Sequence, residues 1–137
     1  NLGMIIRSVA ASPMDGLLLP RKGCAKIDPL VHKASAGTLF KSSIYHCPTI
    51  ESGLKSLRSK GYQLIGLSGG VDRSLGDTGN ANEKIVFILG NETTGISEPV
   101  LALCDELACI PLQSGVESIN VAMAATLVAF RKTFSGT

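Results

Sequence analysis

The 137 residues predict a single α/β domain, built on a mainly parallel sheet with helices on both faces. Two observations carry this. Short aliphatic runs alternate with segments of helical periodicity, and two runs, Gln63 to Leu67 and Lys84 to Leu89, are apolar enough to sit centrally, covered on both faces. No internal repeat or separable second domain interrupts the pattern.

Taken in order, Leu2 to Ala11 carries Leu2, Ile5, Ile6 and Val9, the i, i+3, i+4, i+7 stripe of an amphipathic helix, with Asn1 placed to cap it. Gly16 to Leu19 reads as a short buried strand stopped by Pro20. Asp28 to Ala34 suits a helix with Asp28 as cap and Pro29 in its first turn. Ser43 to His46 is a further short strand, and a helix from Ile50 to Lys60 ends at Gly61. The loop from Ser68 to Glu83 is polar, Gly-rich and long, a type that is usually functional or mobile. A helix begins near Ser97, Leu107 to Leu112 forms another strand, and Ile119 to Phe134 forms a long final helix with Ser118 as its cap.

Composition narrows the function classes. With 45% hydrophobic and 18% charged residues the chain suits a globular protein, not a disordered one. The longest apolar stretch, Val121 to Phe130, is about half of a bilayer span, and nothing resembles a signal peptide. The expected setting is therefore the cytoplasm, with no membrane partner. Because the chain begins at Asn1 and not at Met, an organellar address or an upstream domain stays open. Cys24, Cys47, Cys104 and Cys109 form no C-x-x-C pair, and His32 and His46 stand apart, so buried reduced thiols are expected and no metal site.

Charge is unevenly spread. Residues 1–60 hold nine Lys/Arg against three acidic residues, whereas residues 61–137 hold four against eight. A basic half is what a polyanion-facing side looks like, although a solvated basic face is the simpler explanation.

Three clusters can carry chemistry. The first is Asn1-x-Gly3-x-x-x-Arg7, which a helix cap, a small packing residue and a surface arginine would also explain. The second, Gly90-Asn91-Glu92-Thr93-Thr94-Gly95-Ile96-Ser97, follows a strong strand, and its two glycines bracket a carboxylate where backbone can wrap a ligand. It is neither a Walker loop nor G-x-G-x-x-G, which speaks against a dinucleotide oxidoreductase. The third runs from Ile110-Pro111-Leu112 through Gly115 to Ser118-Ile119-Asn120-Val121, opening an alanine-rich helix with polar groups at its N-terminus.

In this order and spacing the three clusters resemble the motifs of the SpoU (TrmH-like) branch of the SPOUT RNA methyltransferases, over Asn1 to about Phe130. Pro29-Leu30-Val31-x-Lys33-Ala34-Ser35-Ala36-Gly37 also resembles a family stretch. Ile119 stands where Leu is common and Leu112 where Met often sits, both conservative in volume.

The resemblance implies an α/β domain with a C-terminal trefoil knot, an exception to ordinary topology rules. It implies S-adenosylmethionine as cofactor, held around Leu67, Ser68, Gly90, Ile110, Leu112, Ser118 and Ile119. It implies methyl transfer to a ribose 2′-hydroxyl of rRNA or tRNA, with Arg7 activating the hydroxyl and Asn1, Glu92, Ser118 and Asn120 positioning Arg7 or the ribose. A homodimer with active sites across the interface follows from the same resemblance, the first and last helices being its natural contacts. A base-methylating SPOUT enzyme and a non-catalytic RNA-binding homologue are the alternatives. On this reading residues 1–137 are the catalytic domain, with an upstream strand or RNA-binding domain expected before Asn1.

Overall fold

The computed structural model describes residues 1–21, 43–79 and 84–134. The expected Asp28–Ala34 helix, the Pro29–Gly37 stretch, Cys24 and His32 lie outside them.

Among the described residues the order is α1 (Leu2–Ala11), β1 (Leu17–Pro20), β2 (Ile44–Cys47), α2 (Ile50–Ser59), β3 (Gln63–Leu67), β4 (Ile85–Ile88), α3 (Glu98–Leu103), β5 (Glu106–Ala108) and α4 (Val121–Phe130). All strand pairing is parallel: β1 runs beside β2, and β3 is central in a second sheet of order β4-β3-β5. The fold class read from the sequence is therefore the one observed.

Each helix owes its bounds to local chemistry. Thr49 caps α2 through a reciprocal box with Ser52, and Gly61 turns the chain out at φ +91°. Arg58, in the last turn of α2, pairs with Asp105 at 2.9 Å, and the same carboxylate accepts from the Leu64 amide at 2.8 Å. That link holds α2 to β3 and to the turn before β5.

The core lies on one face of the second sheet, where Leu54, Leu64, Ile88 and Val100 pack together with Leu18, Val86 and Leu103 around them. The other face is covered as well, because Ile65, whose side chain alternates to that face, is fully buried. Phe87 is its register partner, and Arg131 at the end of α4 stacks on the Phe87 ring at 4.4 Å. Helices α1 and α4 pack on each other through Ile6, Val9, Ala125, Val128 and Ala129, and Ser8 and Thr126 join them by a hydroxyl pair at 2.7 Å.

Four expectations need correcting. The last strand is Glu106–Ala108, not Leu107 to Leu112; Pro111 has no amide proton for a ladder, and Ser114 and Gly115 turn the chain at φ 60° and 74°. The last helix begins at Val121, and Asn120, not Ser118, caps it by accepting from the Ala122 amide at 2.8 Å. It ends at Phe130, not Phe134. Strand β4 lies at an edge of its sheet among the described residues and is only half-buried except at Ile88.

Of the described cysteines, Cys47 is buried, Cys104 and Cys109 half-buried, and all three are free thiols. His46 is exposed. Among the described residues no helix is long and apolar enough to cross a membrane, and no group of three or more potential metal ligands gathers.

Candidate active site

The Gly90–Ser97 segment folds as a tight turn. Asn91 and Gly95 exchange both backbone hydrogen bonds, at 3.0 and 2.8 Å, while the Asn91 side chain accepts from the amides of Thr93 and Thr94. Gly95 closes the turn at φ +71°, a conformation that favours glycine. With Asn91 serving the turn, Glu92 at its tip is free to reach elsewhere.

It reaches the first residue. Asn1 Nδ2 donates to Glu92 Oε1 at 2.9 Å, and that oxygen also accepts from the Val121 amide at 3.4 Å, setting a carboxylate at the positive end of α4. Asn120 Nδ2 donates to Asn1 Oδ1 at 3.1 Å, so both ends of the Asn1 amide are occupied. This is why Asn1, although it stands at the N-cap of α1, makes no side-chain cap there. Three segments that are remote in sequence thus meet in one exposed polar network.

The Arg7 side chain is exposed on α1, and neither ion pair among the described residues involves it. Ser118 is also exposed and outside the network. Of the five expected catalytic positions, Asn1, Glu92 and Asn120 are therefore joined directly, and Arg7 and Ser118 are not.

Beside the network lies an open cleft of about 430 Å³ lined by Gly69, Gly70, Cys109, Ile110, Pro111, Leu112, Val116 and Glu117. Ser118 and Ile119 stand between Glu117 of the cleft and Asn120 of the network. One wall follows β3, where the Ser68 amide donates to Ala108 O at 2.9 Å and Gly69 and Gly70 present bare backbone. The other is the chain leaving β5. Leu112 and Val116, 36% and 51% exposed, leave apolar surface open to a ligand.

Ile110 and Leu112 of the expected cofactor positions line this cleft, and Leu67 and Ser68 lead directly into its glycine wall. Gly90, Ser118 and Ile119 are not in its lining. Gly90 has another reason to be glycine: a Cβ there would lie 2.4 Å from Gly95 C and 2.5 Å from Ile96 N. Gly69, Gly70 and Cys109 were not singled out from sequence as site residues, and Val116 and Glu117 only as part of the third cluster. For the two glycines the available signal was the Gly-rich character of the loop after Leu67.

The cleft's volume and lining suit a ligand of the S-adenosylmethionine kind. Its volume is in the range of small-ligand pockets, its aliphatic side chains suit a flat adenine, and the Glu117 carboxylate suits a ribose hydroxyl or an ammonium group.

Comparison with known proteins decides the family. The model of the SpoU rRNA methylase family matches residues 1–130. The chain belongs to that family. A Mycobacterium ulcerans protein named an uncharacterized tRNA/rRNA methyltransferase is 32% identical over 128 residues, covering 93% of this chain and 41% of the relative. A Mycobacterium tuberculosis protein of the same description is 33% identical, covering 39% of its own length. This SpoU chain thus spans about two fifths of these curated relatives. Among solved structures, the SpoU methyltransferase AviRb from Streptomyces viridochromogenes, in complex with AdoMet, superposes at TM-score 0.81 with 28% identity, over 95% of this chain and 53% of that one. An AdoMet-bound rRNA methyltransferase from Sinorhizobium meliloti has the same fold, at TM-score 0.85 and 23% identity, over 95% and 49% of the two chains.

Proposed function

We propose that residues 1–137 are the catalytic domain of an S-adenosylmethionine-dependent methyltransferase acting on a ribose 2′-hydroxyl of rRNA or tRNA. The observation that carries this reading is the network of Asn1, Glu92 and Asn120 drawn together beside the glycine-walled cleft. Membership of the SpoU family and the AdoMet complex of AviRb support the cofactor, and the names of the mycobacterial relatives support RNA.

S-adenosylmethionine, when bound, supplies a methyl group on a sulfonium, an already activated leaving group. The chain's own task is alignment and control of charge on the attacking oxygen. Leu67, Ser68, Ile110 and Leu112, with Gly69 and Gly70, would hold the cofactor, and Gly90, Ser118 and Ile119 would shape the segments around it. The Arg7 guanidinium would orient the 2′-oxygen and stabilise the alkoxide developing there, while the hydroxyl proton would leave to water or to an RNA phosphate oxygen, since arginine holds its own proton too strongly to serve readily as a base. Asn1, Glu92, Ser118 and Asn120 would position the ribose.

A homodimer belongs to the same reading. Met4 beside Arg7 on α1, and Met123 and Leu127 on α4, are 47%, 63% and 47% exposed, an apolar surface suited to a second copy. Arg7, unpartnered among the described residues of its own chain, would then act across the interface. The trefoil knot is likewise part of this reading, and it rests on membership of the SpoU family.

The test is Arg7→Ala, which should abolish methyl transfer while S-adenosylmethionine still binds by calorimetry. The substrate is read by 2′-O-methyl mapping of cellular RNA with and without the protein. Transfer persisting near the wild-type rate removes Arg7 from its role. A methyl group mapped to a base overturns the ribose assignment, and cofactor binding with no transfer to any RNA favours a non-catalytic homologue.

A further inference from the structure

The loop after β3 is polar, contains several glycines, and forms one wall of the cleft through Gly69 and Gly70. Such a segment has much conformational freedom to lose when a ligand orders it. A charged side chain restrains it. Arg73 Nε pairs with Glu106 Oε1 on β5, and Arg73 Nη2 donates to Asp77 O at 2.8 Å, closing the loop on itself. The second Glu106 oxygen accepts from Gln63 Nε2 on β3 at 3.0 Å. Alongside, the Cys109 amide donates to Arg73 O at 2.8 Å and the Leu75 amide to Cys109 O at 2.7 Å. Cys109 is where β5 runs out into the opposite wall of the cleft.

Arg73 therefore stands where the two walls are fastened together. Neither it nor Glu106 lines the cleft; the Arg73 side chain is half exposed and the Glu106 side chain 20% exposed, so the pair is partly open to screening by salt. We infer that Arg73, through Glu106, is a positioning residue that preorganises the cleft for S-adenosylmethionine, lowering the ordering cost that binding would otherwise carry. This rests on reading the cleft as the cofactor site.

The test is calorimetric titration of S-adenosylmethionine into the whole chain and its Arg73→Ala, Arg73→Lys, Glu106→Gln and Arg73→Ala/Glu106→Gln variants, with Leu112→Asp as a probe of the cleft itself. Arg73→Ala and Glu106→Gln should each weaken binding about fivefold, the double variant should be no weaker than either, and Arg73→Lys should recover most of the loss. The affinity of the wild type should fall with added salt more steeply than that of Arg73→Ala, a difference that a purely structural role would not produce. Unchanged affinity in Arg73→Ala, or additive losses in the double variant, overturns the inference. If Leu112→Asp leaves affinity unchanged, the cleft reading itself fails and takes the inference with it. If Leu112→Asp weakens binding and Arg73→Ala does not, only the role of Arg73 falls. Should Arg73→Ala not fold, Glu106→Gln and Arg73→Lys decide by the same affinities.

Discussion

At the scale of single residues, the polar network works because Asn1 is held from both ends of its side-chain amide. Asn1 gives an amide proton to Glu92 and takes one from Asn120, whose own oxygen caps α4. A carboxylate and two primary amides are thereby held at a helix N-terminus. Gly90 shows a different logic. Sequence reading places it in the cofactor pocket, so that Gly90→Val would intrude on the ligand. The Cβ would instead meet the Gly95–Ile96 backbone, which cannot swing aside as a side chain could. Gly90→Val should therefore cost about 1–3 kcal/mol of stability by distorting the turn that presents Glu92, measurable by urea denaturation. An unchanged midpoint together with weaker cofactor binding would return Gly90 to the pocket.

At the scale of elements, α2 approaches β1 and β2 closely because Gly53 faces them. A Cβ there would lie 2.7 Å from Cys47 Sγ and 3.2 Å from Leu18 Cδ2. Alanine is the better helix former by about 1 kcal/mol, yet the overlap with a buried thiol should outweigh it. Gly53→Ala is expected to destabilise the fold by about 1 kcal/mol net, and a rise in melting temperature would show that α2 can shift away. The same contact governs alkaline stability. Burial pushes the Cys47 thiol above its ordinary value, with Glu51 adding to the rise and the Gly53 amide opposing it. A raised folded value stabilises the fold fully below the unfolded thiol's pKa of about 8.5 and loses that contribution as pH climbs through the folded value. Denaturation midpoints should hold between pH 7 and about pH 8 and fall above it, less steeply in Cys47→Ala. Equal slopes would show that Cys47 does not control the transition. Cys104, raised chiefly by burial, acts in the same direction.

At the scale of the whole molecule, the outward faces of α1 and α4 matter most. Met4 is exposed on the helix that carries Arg7, and Met123 and Leu127 on the helix that Asn120 caps. If this surface joins two copies, Met123→Glu/Leu127→Glu should yield monomers by light scattering and lose methyl transfer together with the dimer. A variant that stays dimeric would place the interface elsewhere.

Much of the architecture is written in local patterns. The stripe of Ile6 and Val9 marks α1, the aliphatic runs mark β3 and β4, and Gly61 and Gly95 mark turns, because side-chain periodicity and backbone freedom act over a few residues. Element ends were less legible: the last helix starts at Val121 because Asn120 outcompetes Ser118 as its cap, a choice settled by where Asn1 and Glu92 lie. The three motifs were visible as residue types at spacings, and Asn1, Glu92 and Asn120 among them. That these three touch was not, since their contacts span 91 and 119 residues and depend on how every intervening segment packs. The same holds for the cleft. Its glycine wall and its Cys109–Leu112 wall belong to separate loops, and only the parallel pairing of β3 with β5 brings their ends side by side. The sequence by itself determined the elements and the chemistry they carry; the tertiary structure decided which of those groups meet, because proximity between distant segments is a property of the packed sheet and not of any local pattern.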